Sequence, residues 1–441
     1  MVVSDWAEQR PHGGTRRGGW RAALALGLVC LAASATLWLT LVVWRSADFD
    51  VPEYVRYARA FWLGQPRFLA LPQEYPPPAL LVFGLPLLLG TVEPRLAFGV
   101  CMAVMLLLGY IGFRRYSSTS GGALRYVCYL LLGAQGTLLA RYDLVPALAT
   151  VAALWATRRR HFALAYTLLG AGAALKLYPA ALIPIVAIAQ WRDARARQDP
   201  SAARALATVR RRSSAATPSA RLALAASGLL LALCAAVCVL AARAGATELA
   251  TLTYAFTRPV QIESLPATFA WLGTIVGIPL THLYAYGSDG VAGPLASAAS
   301  WWSLPLLAAG CLLVYALTLA GKLSVERAFL ACVCVLLLTA KVFSTQYLIW
   351  VLPLAAEAGG DEVLWLVICA LTFADYPLYY PFNHDYTVAA TMRFLALLAL
   401  RNALFVLAAV RALRWRWPNY GGTAASGRQQ PARVAEGTRA Q

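Results

Sequence analysis

Residues 48–78 read DFDVPEYVRYARAFWLGQPRFLALPQEYPPP, and this stretch decides how the rest of the chain is understood. It carries acids, tyrosines and arginines and closes in a proline run, yet the sequence on both sides is suited to lipid. A polar, aromatic, acid-bearing loop on an apolar scaffold is where chemistry is expected. The surrounding composition sets the class. Of 441 residues, 60% are hydrophobic and 13% charged, and mean hydropathy is +0.61. Soluble domains carry about 25% charged residues, so the expected fold is an all-α polytopic membrane protein. The net charge of +18 does not indicate nucleic acid, because the arginines stand in short runs at the ends of apolar segments, as the positive-inside rule requires.

The nine cysteines, among them Cys30, Cys234, Cys238, Cys332 and Cys334, lie within apolar stretches. The histidines, His12, His161, His282 and His384, are not at ligand spacing from them, so the thiols read as small hydrophobes rather than metal ligands. Basic residues precede the apolar run 22–44, which is long enough to span and lacks a small-residue cleavage site, so it reads as a retained first helix.

Arg10, Arg16, Arg17 and Arg21 place the N-terminus in the cytoplasm, and the loop 45–78 outside. Residues 53–63 lack Gly and Pro and suit a short helix on the membrane surface, ended by Gly64. Apolar segments follow at 79–92, 95–113, 123–140, 143–157, 161–177 and 178–190, then at 222–242, 301–320, 325–341, 346–357, 362–376 and 388–411. Arg158, Arg159 and Arg160 mark one cytoplasmic turn, and the arginine-rich loop 191–221 another. The loop 243–300 is then external. Segment 79–92, interrupted by Gly84 and Pro86, leaves a question of parity: if it crosses alone, every later turn changes side. About twelve spans are expected, forming one membrane domain over 1–412. The tail 413–441 has the composition of a disordered cytoplasmic segment.

With this topology the unusual polar residues gather outside. They are Asp48, Asp50, Glu53 and Glu74 from the first loop, Asp143 and Lys176 from span ends, and Arg258, Gln261 and Glu263 from the long loop. Lys341, Gln346, Asp375, His384 and Asp385 come from later turns. A charge at mid-membrane costs about 2.5–3.5 kcal/mol on insertion scales, so Lys176 and Lys341 are expected near an interface or a polar cavity. Snorkelling explains either lysine alone, but not the whole set.

Several motifs of this set resemble those of GT-C-type membrane glycosyltransferases. They are Asp50-Val51-Pro52-Glu53-Tyr54 with Gly64 and Glu74-Tyr75-Pro76-Pro77, Arg141-Tyr142-Asp143-Leu144-Val145-Pro146, Lys176-Leu177-Tyr178-Pro179, 258–264 and 341–347. The resemblance is closest to glycosyltransferase family 87, with its polyprenyl-phosphate-mannose-dependent mannosyltransferases. It implies a GT-C-like fold and a donor sugar on a polyprenyl phosphate. The acceptor is then a hydroxyl of a glycolipid or glycan on the outer face of the plasma membrane. It also implies a catalytic acid at the start of the first outer loop. Asp48 and Asp50 both fit, and the family's spacing to the tyrosine favours Asp50. A lipid-phosphate leaving group needs cations, for which Lys176 and Lys341 stand first, then Arg141 and Arg258. Candidates for substrate contact are Tyr54, Glu74, Tyr75, Asp143, Gln261, Glu263, Gln346 and His384. Tyr57 and Trp62 suit stacking on a sugar, although aromatic belts put such residues at interfaces anyway. No cofactor is expected. The pair Asp48 and Asp50 looks like a metal-holding Asp-X-Asp, but a monophosphate offers no diphosphate for a metal to bridge.

Two further readings compete. A transporter or lipid flippase would also place polar residues near broken spans, although here they sit at span ends and no inverted repeat is visible. A non-catalytic scaffold would tolerate neutralisation of the acids.

Overall fold

A computed structural model describes residues 50–64, 74–90, 92–198, 234–242, 248–379 and 388–414. The chain is mostly helical. Four helices are long and apolar enough to cross a membrane: Pro94–Tyr116, Pro294–Leu319, Glu362–Tyr379 and Met392–Leu413. Shorter apolar helices pack among them.

The first described helix, α1 (Val51–Leu63), begins with proline in its first turn, where a missing N–H is harmless. It stops at Gly64, whose φ of 66° is the left-handed ending that glycine adopts without strain. A five-residue helix, α2 (Ala79–Phe83), and a 3₁₀ turn (Leu85–Leu89) follow, separated at Gly84. Then comes α3 (Pro94–Tyr116), capped by Glu93, whose carboxylate accepts from Leu96 N at 2.9 Å. Helices α4 (Gly122–Gly133), α5 (Leu144–Arg158), α6 (Phe162–Leu175) and α7 (Ile183–Gln198) complete the first half.

The second half opens with α8 (Glu248–Thr257), β1 (Val260–Gln261) and α9 (Leu265–Gly273), followed by the hairpin β2 (Thr281–Ala285) and β3 (Ser288–Ala292). The three strands form one antiparallel sheet in the order β1-β3-β2. This sheet is an addition to the helical reading of the sequence. Its strands are short and lie inside a long loop, where apolar periodicity carries no signal. Helices α10 (Pro294–Leu319), α11 (Val325–Thr339), α12 (Leu348–Ala358), α13 (Glu362–Phe373) and α14 (Val388–Leu413) close the bundle.

Contacts sort the bundle into two ends. At one, Tyr142 before α5 donates to Leu175 O at the end of α6, 3.1 Å away. At the other, Trp155 near the end of α5 meets Phe113 and Tyr116 at the end of α3. There Arg158 pairs with Glu357 and Glu326, and Arg411 with Asp361. Phe98, near the start of α3, lies against Tyr54 at the first end, as does Phe83 of α2. Segment 79–92 therefore begins and finishes at one end without running the length of the bundle. The short helix and 3₁₀ turn of this segment are thus too short to run the length of the bundle. Between the ends, α12 is buried on all faces, as expected of a helix apolar all round. Outward leucines of α3 and α10, such as Leu107, Leu108, Leu312 and Leu313, are exposed, a surface suited to hydrocarbon. Small residues permit the close approaches: a β-carbon at Gly109 would lie 2.1 Å from Tyr126 Oη and 2.7 Å from Leu148 Cδ2.

Candidate functional site

The site is built at the end that holds the start of α1. Asp50 occupies the N-cap position of α1, yet its side chain makes no capping bond. Its carboxylate instead pairs with the Arg141 guanidinium and accepts from Tyr75 Oη at 3.0 Å and Tyr54 Oη at 3.4 Å. Glu74, another acid of the loop, accepts from Tyr57 Oη at 3.2 Å. These tyrosines come from α1 and from the chain entering α2, and packing fixes their rings. Tyr54 stacks on Phe83, with centroids 4.2 Å apart, and meets Tyr75 and Tyr142 edge-on. Burial, above all, pushes the Tyr54 and Tyr75 phenols well above their ordinary value, so both remain hydrogen-bond donors to Asp50.

Arg141, Tyr142 and Asp143 precede α5 and link this acid to the lysine. Asp143 is fully buried, and its Oδ1 accepts from Lys176 Nζ at 2.7 Å and from Trp350 Nε1 at 2.5 Å. Lys176 leaves α6 with extended backbone (φ −159°, ψ 124°), which turns it toward three rings. Its ammonium lies 4.9 Å from the Tyr142 centroid, 5.1 Å from Trp350 and 5.3 Å from Tyr347. Trp350 is itself sandwiched between Tyr178 and Tyr347, at 4.4 and 4.2 Å. Burial lowers the Lys176 pKa from its ordinary value, and the Asp143 charge opposes that fall.

Lys176 lines a cavity of about 800 Å³. Glu74, Tyr142, Arg258, Lys341, Tyr347 and Trp350 share its polar part, while Leu252, Phe256, Trp301, Leu304, Leu307 and Leu336 form apolar walls. Lys341 Nζ donates to Phe256 O, in the last turn of α8, at 2.6 Å, a favourable place for a cation at a helix C-terminus. Burial, then the Arg258 charge, lowers the Lys341 pKa. Arg258 donates to Ser288 Oγ at 2.9 Å.

The predicted residues thus fall into three groups. Glu74, Lys176, Arg258 and Lys341 face one cavity. Asp50, Tyr54, Tyr75, Arg141 and Asp143 form the network behind it, and Asp143 is enclosed by Lys176 and Trp350 rather than presented to a substrate. Gln261 and Glu263 belong to a third, buried cluster: Gln261 Nε2 donates to Glu263 Oε2, while Arg401 and Asn402 of α14 donate to Glu263 O. Arg401 also pairs with Asp375 at 2.6 Å. Burial, then the Asp375 charge, pushes the Glu263 carboxyl well above the usual carboxylate range. Gln346 keeps a buried Oε1 without a hydrogen-bond partner. Asp48 and His384 lie outside the described residues.

Sequence reasoning passed over Trp350 and Arg401. Arg401 carried a signal, since Arg-Asn interrupts an otherwise apolar helix. Trp350 carried none, because a tryptophan in an apolar run is ordinary. Among the described residues, no group of three or more His, Cys, Asp or Glu side chains is placed to hold a metal ion. Comparison of the chain with protein-family models, with curated proteins and with solved structures returned no match.

Proposed function

We propose that the protein is a membrane glycosyltransferase of GT-C-like fold, with about twelve spans, moving a sugar from a polyprenyl phosphate to a hydroxyl of a glycolipid or glycan on the outer membrane face. One observation carries this reading: three cations, Lys176, Arg258 and Lys341, share an amphipathic cavity whose wall residue Tyr142 packs against Tyr54 and Tyr75, the two tyrosines that with Arg141 hold a partly exposed carboxylate, Asp50. The apolar walls suit an isoprenoid chain, and the cations suit its phosphate. In the reaction the acceptor oxygen bonds to the sugar's anomeric carbon as the bond from that carbon to the phosphate oxygen breaks. The hydroxyl proton passes to Asp50, and the electron pair leaves on the phosphate, where the cations stabilise it. Arg141 and the tyrosines orient the carboxylate, and the incoming hydroxyl takes the place of one phenol. Glu74, at the cavity wall, offers a second contact for sugar hydroxyls.

The test is transfer by purified protein in nanodiscs, supplied with polyprenyl phosphates of mannose, glucose, galactose or arabinose and a panel of glycolipid and glycan acceptors. The expected result is transfer by the wild type and its loss in Asp50→Asn with donor binding retained. Absence of transfer for every combination, or full activity in both Asp50→Asn and Asp48→Asn, overturns the proposal.

A further inference from the structure

The β2–β3 hairpin turns through Tyr286 and Gly287, both at positive φ (56° and 69°). Ala285 pairs with Ser288 across them, giving a two-residue loop with the φ signature of a type I′ turn. Its first position ordinarily holds Asn, Asp or Gly, because an L side chain as large as tyrosine is strained in the left-handed region. Strain of this kind persists where the side chain has a use. The Tyr286 ring is not consumed by packing: it is 46% exposed and meets Tyr254 edge-on, with centroids 5.2 Å apart.

Tyr254 in turn lines the cavity and carries the Arg258 guanidinium 5.5 Å above its ring, while Arg258 donates to Ser288 of the same hairpin. The turn, the cavity wall and a candidate phosphate cation are therefore one assembly. We propose that Tyr286, together with Tyr254, is an aromatic platform at the cavity mouth that stacks on a pyranose ring of the acceptor saccharide. This rests on the glycosyl-transfer reading of the cavity. The electron-rich face of an aromatic ring meets the C–H face of a sugar, and a phenol adds a hydrogen-bonding edge. The neighbours of the turn, Ser288, Asp289 and the exposed Tyr284 paired with it, offer a saccharide polar groups and a second ring, without the leucine, tryptophan and lysine expected at a lipid surface.

The test is Tyr286→Asn, which suits the left-handed position and removes the ring. The expected result is an acceptor KM raised at least tenfold, a donor KM within twofold of wild type, and a thermal midpoint equal or higher. The same shift is expected in detergent micelles and in nanodiscs. An unchanged acceptor KM overturns the platform, and so does an effect seen only in nanodiscs, which assigns Tyr286 to the lipid surface instead. If the wild type transfers no sugar, the glycosyltransferase reading fails and the platform is judged separately. Saturation-transfer NMR with methyl α-mannopyranoside and methyl β-galactopyranoside must then show binding that Tyr286→Asn abolishes; no binding by the wild type overturns it.

Discussion

Lys176 Nζ lies 2.7 Å from Asp143 Oδ1, and the carboxylate it meets is shut off from solvent. Trp350 Nε1 donates to that same oxygen from 207 residues further along the chain. A cation on the cavity wall is thus anchored from behind by an acid that no ligand reaches, and the anchor itself is positioned by a helix of the second half.

Removing one partner of such a pair strands the other. Asp143→Asn is expected to destabilise the protein by about 3–5 kcal/mol, the range for breaking a buried ion pair from one side. Lys176→Met in the same chain should restore much of that loss. A thermal-unfolding cycle of the two single variants and the double checks it, with strong non-additivity as the expected outcome.

Lys341 provides a pH signature. Burial and the Arg258 charge lower its pKa below the usual lysine value, so it loses its charge at lower pH than an exposed lysine. A phosphate-binding role then requires donor affinity to fall as pH rises through that lowered pKa. Lys341→Arg should remove this alkaline limb by keeping the charge, and Lys341→Met should remove it by abolishing the charge, with weaker binding throughout. Donor titrations between pH 7 and 10.5 separate the three proteins.

Arg401 is buried among Asp375, Asn402 and the Glu263 carbonyl. Arg401→Leu leaves the Asp375 carboxyl without its cation, and a loss of about 3–5 kcal/mol is expected. Asp375→Asn in that background should recover part of it, because a neutral amide costs less to bury than an unpaired carboxylate. Unfolding midpoints of the single and double variants decide.

Glu357 serves as a control at the opposite end. It accepts from Ser118 N and Oγ at 3.1 and 3.2 Å and pairs with Arg158, tying the α3–α4 turn to α12. Arg158 also pairs with Glu326 at 3.0 Å, so it is not stranded in Glu357→Leu, which should cost only about 1–3 kcal/mol. Donor and acceptor KM should remain at their wild-type values, since Glu357 touches none of the cavity residues. A shift in either would link the two ends.

The helical class and the two-ended distribution of charge were legible in the chain, because apolar runs and arginine runs report burial and interface directly. The short helix ending at Gly64 and the broken segment at Gly84 were legible too, since glycine and proline act locally on the backbone. The hairpin at 281–292 was not: five-residue strands inside a loop leave no period to detect. Nor was the division of the candidate residues. Glu74, Lys176, Arg258 and Lys341 reach one cavity from four separate segments, while Asp143, equally polar in sequence, is enclosed.

What the sequence determined by itself is that this chain buries helices against one another and keeps most of its acids and cations near the ends of its apolar segments, because hydrophobic pattern and unpaired charge constrain every segment where it stands. Only the tertiary structure decided that residues 48–78 supply a carboxylate, Asp50, clasped by Arg141 from the start of α5, rather than a helix cap. The reason is distance along the chain. A cap is a local interaction that four residues can satisfy, whereas the Arg141 pair exists only once α1 and α5 have packed around the Tyr54, Phe83 and Tyr142 rings.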